Sequence, residues 1–267
     1  MKLNEDLFLK QNLTGNELDY APSVAAVNAN LAPKTNNAGF HNSIYRGKDL
    51  TNVYTLAQIS AKVSAGTFDD LYIGDYITTT LNGTKVTFRM AGFDCYYGTG
   101  DSSCTTHHIV MVPDTFGSYQ MNSSNVTTDG YKGSAMWTST IPTLNTYLNS
   151  AIGSSHVLSY KQLVSNKVTN EVSVEWEWIS CPGFSLMSEV NVYGSTVWSS
   201  SGYDVGIDCK QFPLFTLNPY MIQPNRTAYW LKAVRSASYF CVVDGSGLAH
   251  STRASASYGF RGFFLFK

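Results

Sequence analysis

Asn82-Gly83 leaves the backbone of this chain little choice. The pair sits between two runs, Leu71 to Thr80 and Lys85 to Phe93, that read as strands. Asn followed by Gly accepts the positive φ angles of a two-residue hairpin turn, so these runs are expected to pair antiparallel. HHIVMVPD (His107–Asp114) reads as another buried strand, closed by Pro113. VSVEWEW alternates, with Val172, Val174, Trp176 and Trp178 on one face and Ser173, Glu175 and Glu177 on the other.

Helical signals lie between these segments. Thr55 and Gln58 form a candidate capping box ahead of an apolar face of Leu56, Ile59 and Val63, with Gly66 ending the helix. SAMWTSTIPTLNTYLNSAIG places Met136, Leu144, Leu148 and Ile152 inward. SYKQLVS (159–165) reads as a second short helix and SLMSEVNVYGS (185–195) as a third, ended near Gly194. From Asp208 the chain is loop-rich with short strands. Helices cluster mid-chain between β segments without βαβ alternation, so the expected class is α+β.

Residues 1–40 differ from the rest. Val24, Val27 and Leu31 make a loose helical stripe opened by Pro22 and stopped by Pro33, and TNNAG reads as a linker. Such a piece cannot bury a core by itself, so residues 1–40 are expected to serve attachment or oligomerisation, with 41–267 as the main domain. MKLNEDLFLK lacks the apolar run of a secretory signal, and no apolar window is long enough to span a bilayer.

Charged residues make up only 14% of the chain, against about a quarter in ordinary soluble proteins, and the formal net charge is −1. No Lys/Arg cluster provides a phosphate-backbone footprint, which argues against a nucleic-acid partner. Five cysteines, Cys95, Cys104, Cys181, Cys209 and Cys241, are an odd number for a disulfide framework. Free and mostly buried thiols are expected, although a hairpin around YYGTGDSS could bring Cys95 to Cys104.

Catalytic motifs are lacking: there is no GxSxG, GxxxxGK[ST], HExxH or strand-borne GxGxxG. His107 and His108 follow Cys104, but neighbours on a strand point to opposite faces, so they read as structural residues, not as a metal pair. Glu175 and Glu177 share a strand face roughly 6–7 Å apart, a spacing within reach of glycosidase carboxylate pairs. On the polar face of an amphipathic strand they more simply read as solvated.

The most specific pattern is the ending. YWL at Tyr229–Leu231, followed by YFCVVDGSGLAHSTRASASYGFRGFFLF, resembles the ending of a broad domain family of gut bacteria and their phages, similar to C-type-lectin-like folds. FDDLYIGDYIT, VTFRMAGFD, HHIVMVPD, SLMSEVNVYGSTVW and QFPLFTLNP fit the same family, so the resemblance covers roughly residues 40–267. DYAPSVAAVNANLAPK resembles the leader segments of phage fibre and other virion appendage proteins. Arg261-Gly262 departs from the family's Arg-Pro, and Lys232 stands where Arg is usual.

The resemblance implies a bacteriophage fibre-type virion protein, of tail or head, with a C-type-lectin-like domain. Trp230, Phe240, Gly259, Arg261 and Phe264 would be its fold anchors. Arg235, Tyr239, Asp244, Ser246, His250, Arg253 and Tyr258 would be its display positions, facing a host-surface glycan or protein. Implied with it are assembly in the host bacterial cytoplasm, a homotrimer held with other virion proteins through the N-terminal segment, and no enzymatic activity. The ligand residues and WND-like stretch of calcium-dependent sugar binding are missing, so no metal or cofactor is expected. The alternatives are a capsid-decorating protein without a receptor role, a surface-glycan hydrolase using Glu175 and Glu177, and an adhesin on the same fold. The terminal stretch could equally be a closing hairpin with no partner.

Overall fold

The computed structural model describes residues 37–99, 104–169, 172–199 and 210–267. The stripe of Val24, Val27 and Leu31, the rest of the N-terminal segment and Cys209 lie outside the described residues, as do the side chains of Val172, Ser173 and Val174. Helix α1 (Asn37–His41) opens the described chain, with Ala38 and His41 buried on the domain, so the end of TNNAG is helical. Helix α2 (Leu56–Ser64) follows, and both halves of the Thr55/Gln58 capping box form. Ile59 and Val63 are its buried residues.

Strands β1 (Tyr76–Leu81) and β2 (Thr84–Phe93) pair antiparallel down to Leu81 opposite Thr84. Both turn residues have positive φ, 43° at Asn82 and 83° at Gly83, as the sequence requires of them. The first strand starts later than expected. Asp75 accepts hydrogen bonds from the Tyr72 and Lys48 amides, holding the preceding residues in a turn. Strands β3 (Ile109–Pro113) and β4 (Phe116–Tyr119) come next, then a π-helical turn (Met136–Thr140) leading into α3 (Ile141–Ile152). Met136, Leu144, Leu148 and Ile152 are buried there.

SYKQLVS is not a helix. After the short β5 (Val157–Leu158), it lies in strand β6 (Tyr160–Thr169), paired with β7 (Val172–Cys181). Tyr160, Leu163 and Val164 mimic helical spacing. The true alternation, Tyr160–Gln162–Val164, is buried but interrupted by a polar side chain. Gln162 is tolerated because its carbonyl accepts hydrogen bonds from the Ser185 hydroxyl (2.6 Å) and the Cys181 thiol (3.5 Å). SLMSEVNVYGS also divides: Ser185–Leu186 form β8 and only Glu189–Tyr193 form α4, ended by Gly194 at φ 80°.

Helix α5 (Pro213–Leu217) precedes strands β9 (Tyr229–Ser236), β10 (Tyr239–Val243), β11 (Ala249–Arg253), β12 (Tyr258–Phe260) and β13 (Gly262–Phe266). Among the described residues the strands form three sheets. One runs β1-β2-β3-β13-β5, with β8 also on β13; the second runs β11-β10-β9-β12-β4; the third is the β6–β7 hairpin. Between these strands the pairings are antiparallel except for one parallel step, Gly259 opposite Tyr229, and isolated parallel bridges such as Tyr45 to Ile73 lie outside them. With helices and largely antiparallel sheets, the class is α+β.

The chain passes from the second sheet to the first across one residue, Arg261, between β12 and β13. Its buried guanidinium donates to the carbonyls of Pro113 (3.0 Å), Ile222 (2.6 Å) and Met221 (2.6 Å) and to the Tyr229 hydroxyl (3.3 Å). Five donors in a rigid fork suit such a many-carbonyl corner better than a point charge would. β13 then enters the middle of the first sheet, with Phe264 opposite Met111 and Leu265 opposite Leu158. Between the sheets, Phe184 meets Phe260 and Phe264 edge-on at 5.1 and 5.7 Å, and Tyr96 stacks on Phe263 at 5.7 Å.

Candidate functional site

The residues that the resemblance marks as anchors and as display positions separate by burial. Trp230, Phe240, Arg261 and Phe264 are fully buried, and the Trp230 indole donates to the Tyr119 carbonyl at 2.7 Å. Gly259 is buried where a β-carbon would collide with the Thr115 methyl and sit 3.1 Å from the Ala228 carbonyl. Gly262 faces the Ser185 carbonyl too closely for any side chain, so this corner requires glycine.

Arg235, Ser246, His250 and Arg253 are exposed, while Tyr239 and Tyr258 are half-buried. They do not form one patch. Tyr239 lies opposite Arg253 at one end of the β10–β11 pair, and His250 lies opposite Val242 further along it. Tyr258 is on β12, edge-on to Trp230 at 5.3 Å. The Asp244 carboxylate is committed to its own turn, accepting from the Ser246 amide at 2.7 Å and the Leu248 amide at 3.0 Å. Its role is to shape the β10–β11 connection.

Arg235 and His250 instead meet around a residue that the sequence reading gave no role, Trp198. The Arg235 guanidinium lies 5.6 Å from the indole centroid and the His250 ring 6.5 Å from it. A bulge aims Arg235 there: Tyr239 pairs with Ser236 and Phe240 with Val234, which leaves Arg235 unopposed in the ladder. Trp198 is held from two sides. The fully buried Glu189 carboxylate accepts from the amides of Val197 (2.9 Å), Trp198 (3.0 Å) and Ser199 (2.9 Å). The indole N–H donates to the Ala249 carbonyl on edge strand β11 at 2.9 Å. Glu189 is also the acidic residue in the first turn of α4, where the helix dipole favours a negative charge. Nothing in the local sequence TVWSS announces this role, because Trp198 gains meaning only from a strand fifty residues away.

The histidine and cysteine cluster is structural in its geometry. His108 accepts the Tyr96 amide at Nε2 (3.0 Å) and donates from Nδ1 to the Thr106 carbonyl (2.9 Å), and burial pushes its pKa down. It is therefore a neutral imidazole with both nitrogens engaged. His107 pairs with Asp94 at 2.7 Å and stacks on Tyr97 at 4.8 Å. Cys95 and Cys104 are not bridged; burial pushes the Cys95 thiol up to about 12 and raises that of Cys104 as well. Cys104 lines a pocket of about 350 Å³ with Tyr96, Thr106 and Lys161, but a thiol with a raised pKa is a poor nucleophile. Among the described residues no group of three or more His, Cys, Asp or Glu could hold a metal ion.

Glu175 and Glu177 are each paired with lysine: Glu175 with Lys167 at 2.7 Å, Glu177 with Lys132 at 2.5 Å and also with the Asn166 amide. The hydrogen bonds from Lys132 and Asn166 hold Glu177 below the usual carboxylate range, opposite to the shift a general acid needs. No helix among the described residues is long and apolar enough to cross a membrane. Comparison of the chain with known protein families, with curated proteins and with solved structures finds no match.

Proposed function

We propose that this chain is a non-enzymatic virion appendage of the phage fibre type, whose C-type-lectin-like domain recognises a component of the bacterial surface. One observation carries the reading. The five positions expected to anchor the fold are buried, while Arg235 at the bulge of β9 and His250 and Arg253 on edge strand β11 are exposed. A rigid core under exposed aromatic, arginine and small polar side chains suits recognition, since such residues give contact area and adaptable hydrogen bonds. The N-terminal residues would attach the domain to the particle, as a homotrimer and next to other virion proteins. Localisation would then be the virion, assembled in the bacterial cytoplasm.

The test is immunogold electron microscopy of intact phage particles encoding this chain, joined to adsorption of the labelled full-length protein to host bacteria. Label on an appendage, with saturable adsorption, is expected. Particles without label, or protein that never adsorbs, would sink the proposal. Label confined to the capsid shell without adsorption would favour the decorating role instead.

A further inference from the structure

We propose that the indole of Trp198 and the guanidinium of Arg235 form a binding site for an anionic saccharide, with the sugar ring against Trp198 and its acidic group on Arg235. The inference rests on the recognition reading above and names the ligand chemistry within it.

Trp198 is 42% exposed although its loop is tied down. A tryptophan whose loop donates three backbone amide hydrogen bonds to a buried carboxylate, and whose own indole N–H donates to a strand carbonyl, loses little conformational freedom when something lands on it. With the indole N–H already used, the exposed part of the ring offers only its apolar π surface. That surface matches the C–H face of a pyranose, and Val197 (53% exposed) and Leu248 (66%) extend the apolar surround.

Among the described residues the acidic groups around the platform are already hydrogen-bonded. Glu189 is buried and turned onto three backbone amides, and Asp244 is spent inside its turn. Among the described residues neither Arg235 nor Arg253 is paired with a carboxylate, so both guanidinium groups keep donors for an incoming anion. Arg235 is the nearer, put against the ring by its bulge, and its planar fork fits a carboxylate or a phosphate in two parallel hydrogen bonds. A platform one indole wide, on the order of a single sugar ring, is far smaller than the roughly 800 Å² per partner of a stable protein interface.

Titration calorimetry on the full-length protein tests this with three probes: a galacturonate tetrasaccharide, a phosphorylated pentamannoside carrying mannose 6-phosphate, and neutral maltotetraose. At least one anionic probe is expected to bind at least tenfold more tightly than the neutral one, and which does so separates a carboxylate source from a phosphate source. Arg235→Gln should erase that preference, Arg235→Lys should retain part of it, and Trp198→Ala should remove binding of all probes. Thermal melts within about 2 °C of the wild type show that each variant is folded.

The site is overturned if neutral and anionic probes bind alike, if neither substitution changes anionic affinity, or if no probe binds at millimolar concentration. Adsorption separates the two levels of argument. Wild-type protein that adsorbs to bacteria, alongside a Trp198→Ala/Arg235→Gln variant that adsorbs equally, removes this site and leaves the appendage reading standing. Wild-type protein that adsorbs to nothing removes the reading on which the site rests.

Discussion

Glu189→Gln separates a pinned loop from one that is merely near the surface. The wild-type carboxylate is fully buried and accepts the amides of Val197, Trp198 and Ser199 at 2.9–3.0 Å. Hydrogen bonds to a charged group contribute about 1.5–3 kcal/mol each. A glutamine carbonyl in the place of Oε2 can keep the Val197 and Ser199 amides, now as neutral bonds, while its NH2 group faces the Trp198 amide, which it cannot accept. One lost bond and two reduced from charged to neutral strength set the gross cost at about 3–6 kcal/mol. Removing a buried charge gives some of this back, because the carboxylate no longer has to be desolvated, so a net loss of about 2–4 kcal/mol is expected. At about 2–4 °C per kcal/mol for a chain of this size, the melting temperature should fall by roughly 4–16 °C. If the loop instead opens locally, hydrogen exchange of the Val197–Ser199 amides should quicken by at least tenfold while the core amides stay protected. An unchanged melting temperature together with unchanged protection at residues 197–199 would refute the assignment of Glu189 as the clamp.

Arg261→Met should destabilise the domain by about 3 kcal/mol or more, since three buried carbonyls lose a charged donor, and Arg261→Lys should recover only a fraction of it; urea melts that leave either variant near the wild type would contradict the corner role. Gly262→Ala should cost about 1–3 kcal/mol or more through collision with the Ser185 carbonyl, measured in the same melts. Burial lowers the pKa of His41 and His108 from 6.5, so the unfolded chain binds protons that the folded one refuses, and stability must fall as pH drops below about 6.5. The slope is at most about 1.4 kcal/mol per pH unit for each histidine; a urea midpoint that does not move between pH 7.5 and 5.5 would count against it. Glu177→Gln should leave the urea midpoint where it is in the wild type, as an exposed ion pair contributes little, and cell-wall digestion assays that detect activity in the wild type but not in this variant would revive the hydrolase alternative.

Local chemistry carried the elements that could be read in advance. Asn82-Gly83 and the Thr55/Gln58 box are decided by dihedral preference and by hydrogen bonds between residues three apart, so no distant partner is needed to see them. The apolar face of α3 is legible for the same reason, with 3.6-residue periodicity set by the helix itself. The α+β class follows from adding such signals. β6 was illegible because its inward positions include Gln162, whose burial is made acceptable by partners some twenty residues on, the Ser185 hydroxyl and the Cys181 thiol among them.

The candidate site divides in the same way. Along Tyr229–Phe266 the division into anchors and display positions came from the resemblance of the ending, since β9 and β13 are buried almost throughout and show no alternation. Sequence alone could not assemble a platform from Trp198, Arg235 and His250, three positions on a loop and two strands. Their meeting depends on the bulge in β9, the edge location of β11 and the buried carboxylate of Glu189, each a product of long-range pairing. Nor could it show that the Asp244 carboxylate is hydrogen-bonded within its own turn. Periodicity fixes which way a residue faces within its own element; which residues come together across elements is settled only when the sheets pack.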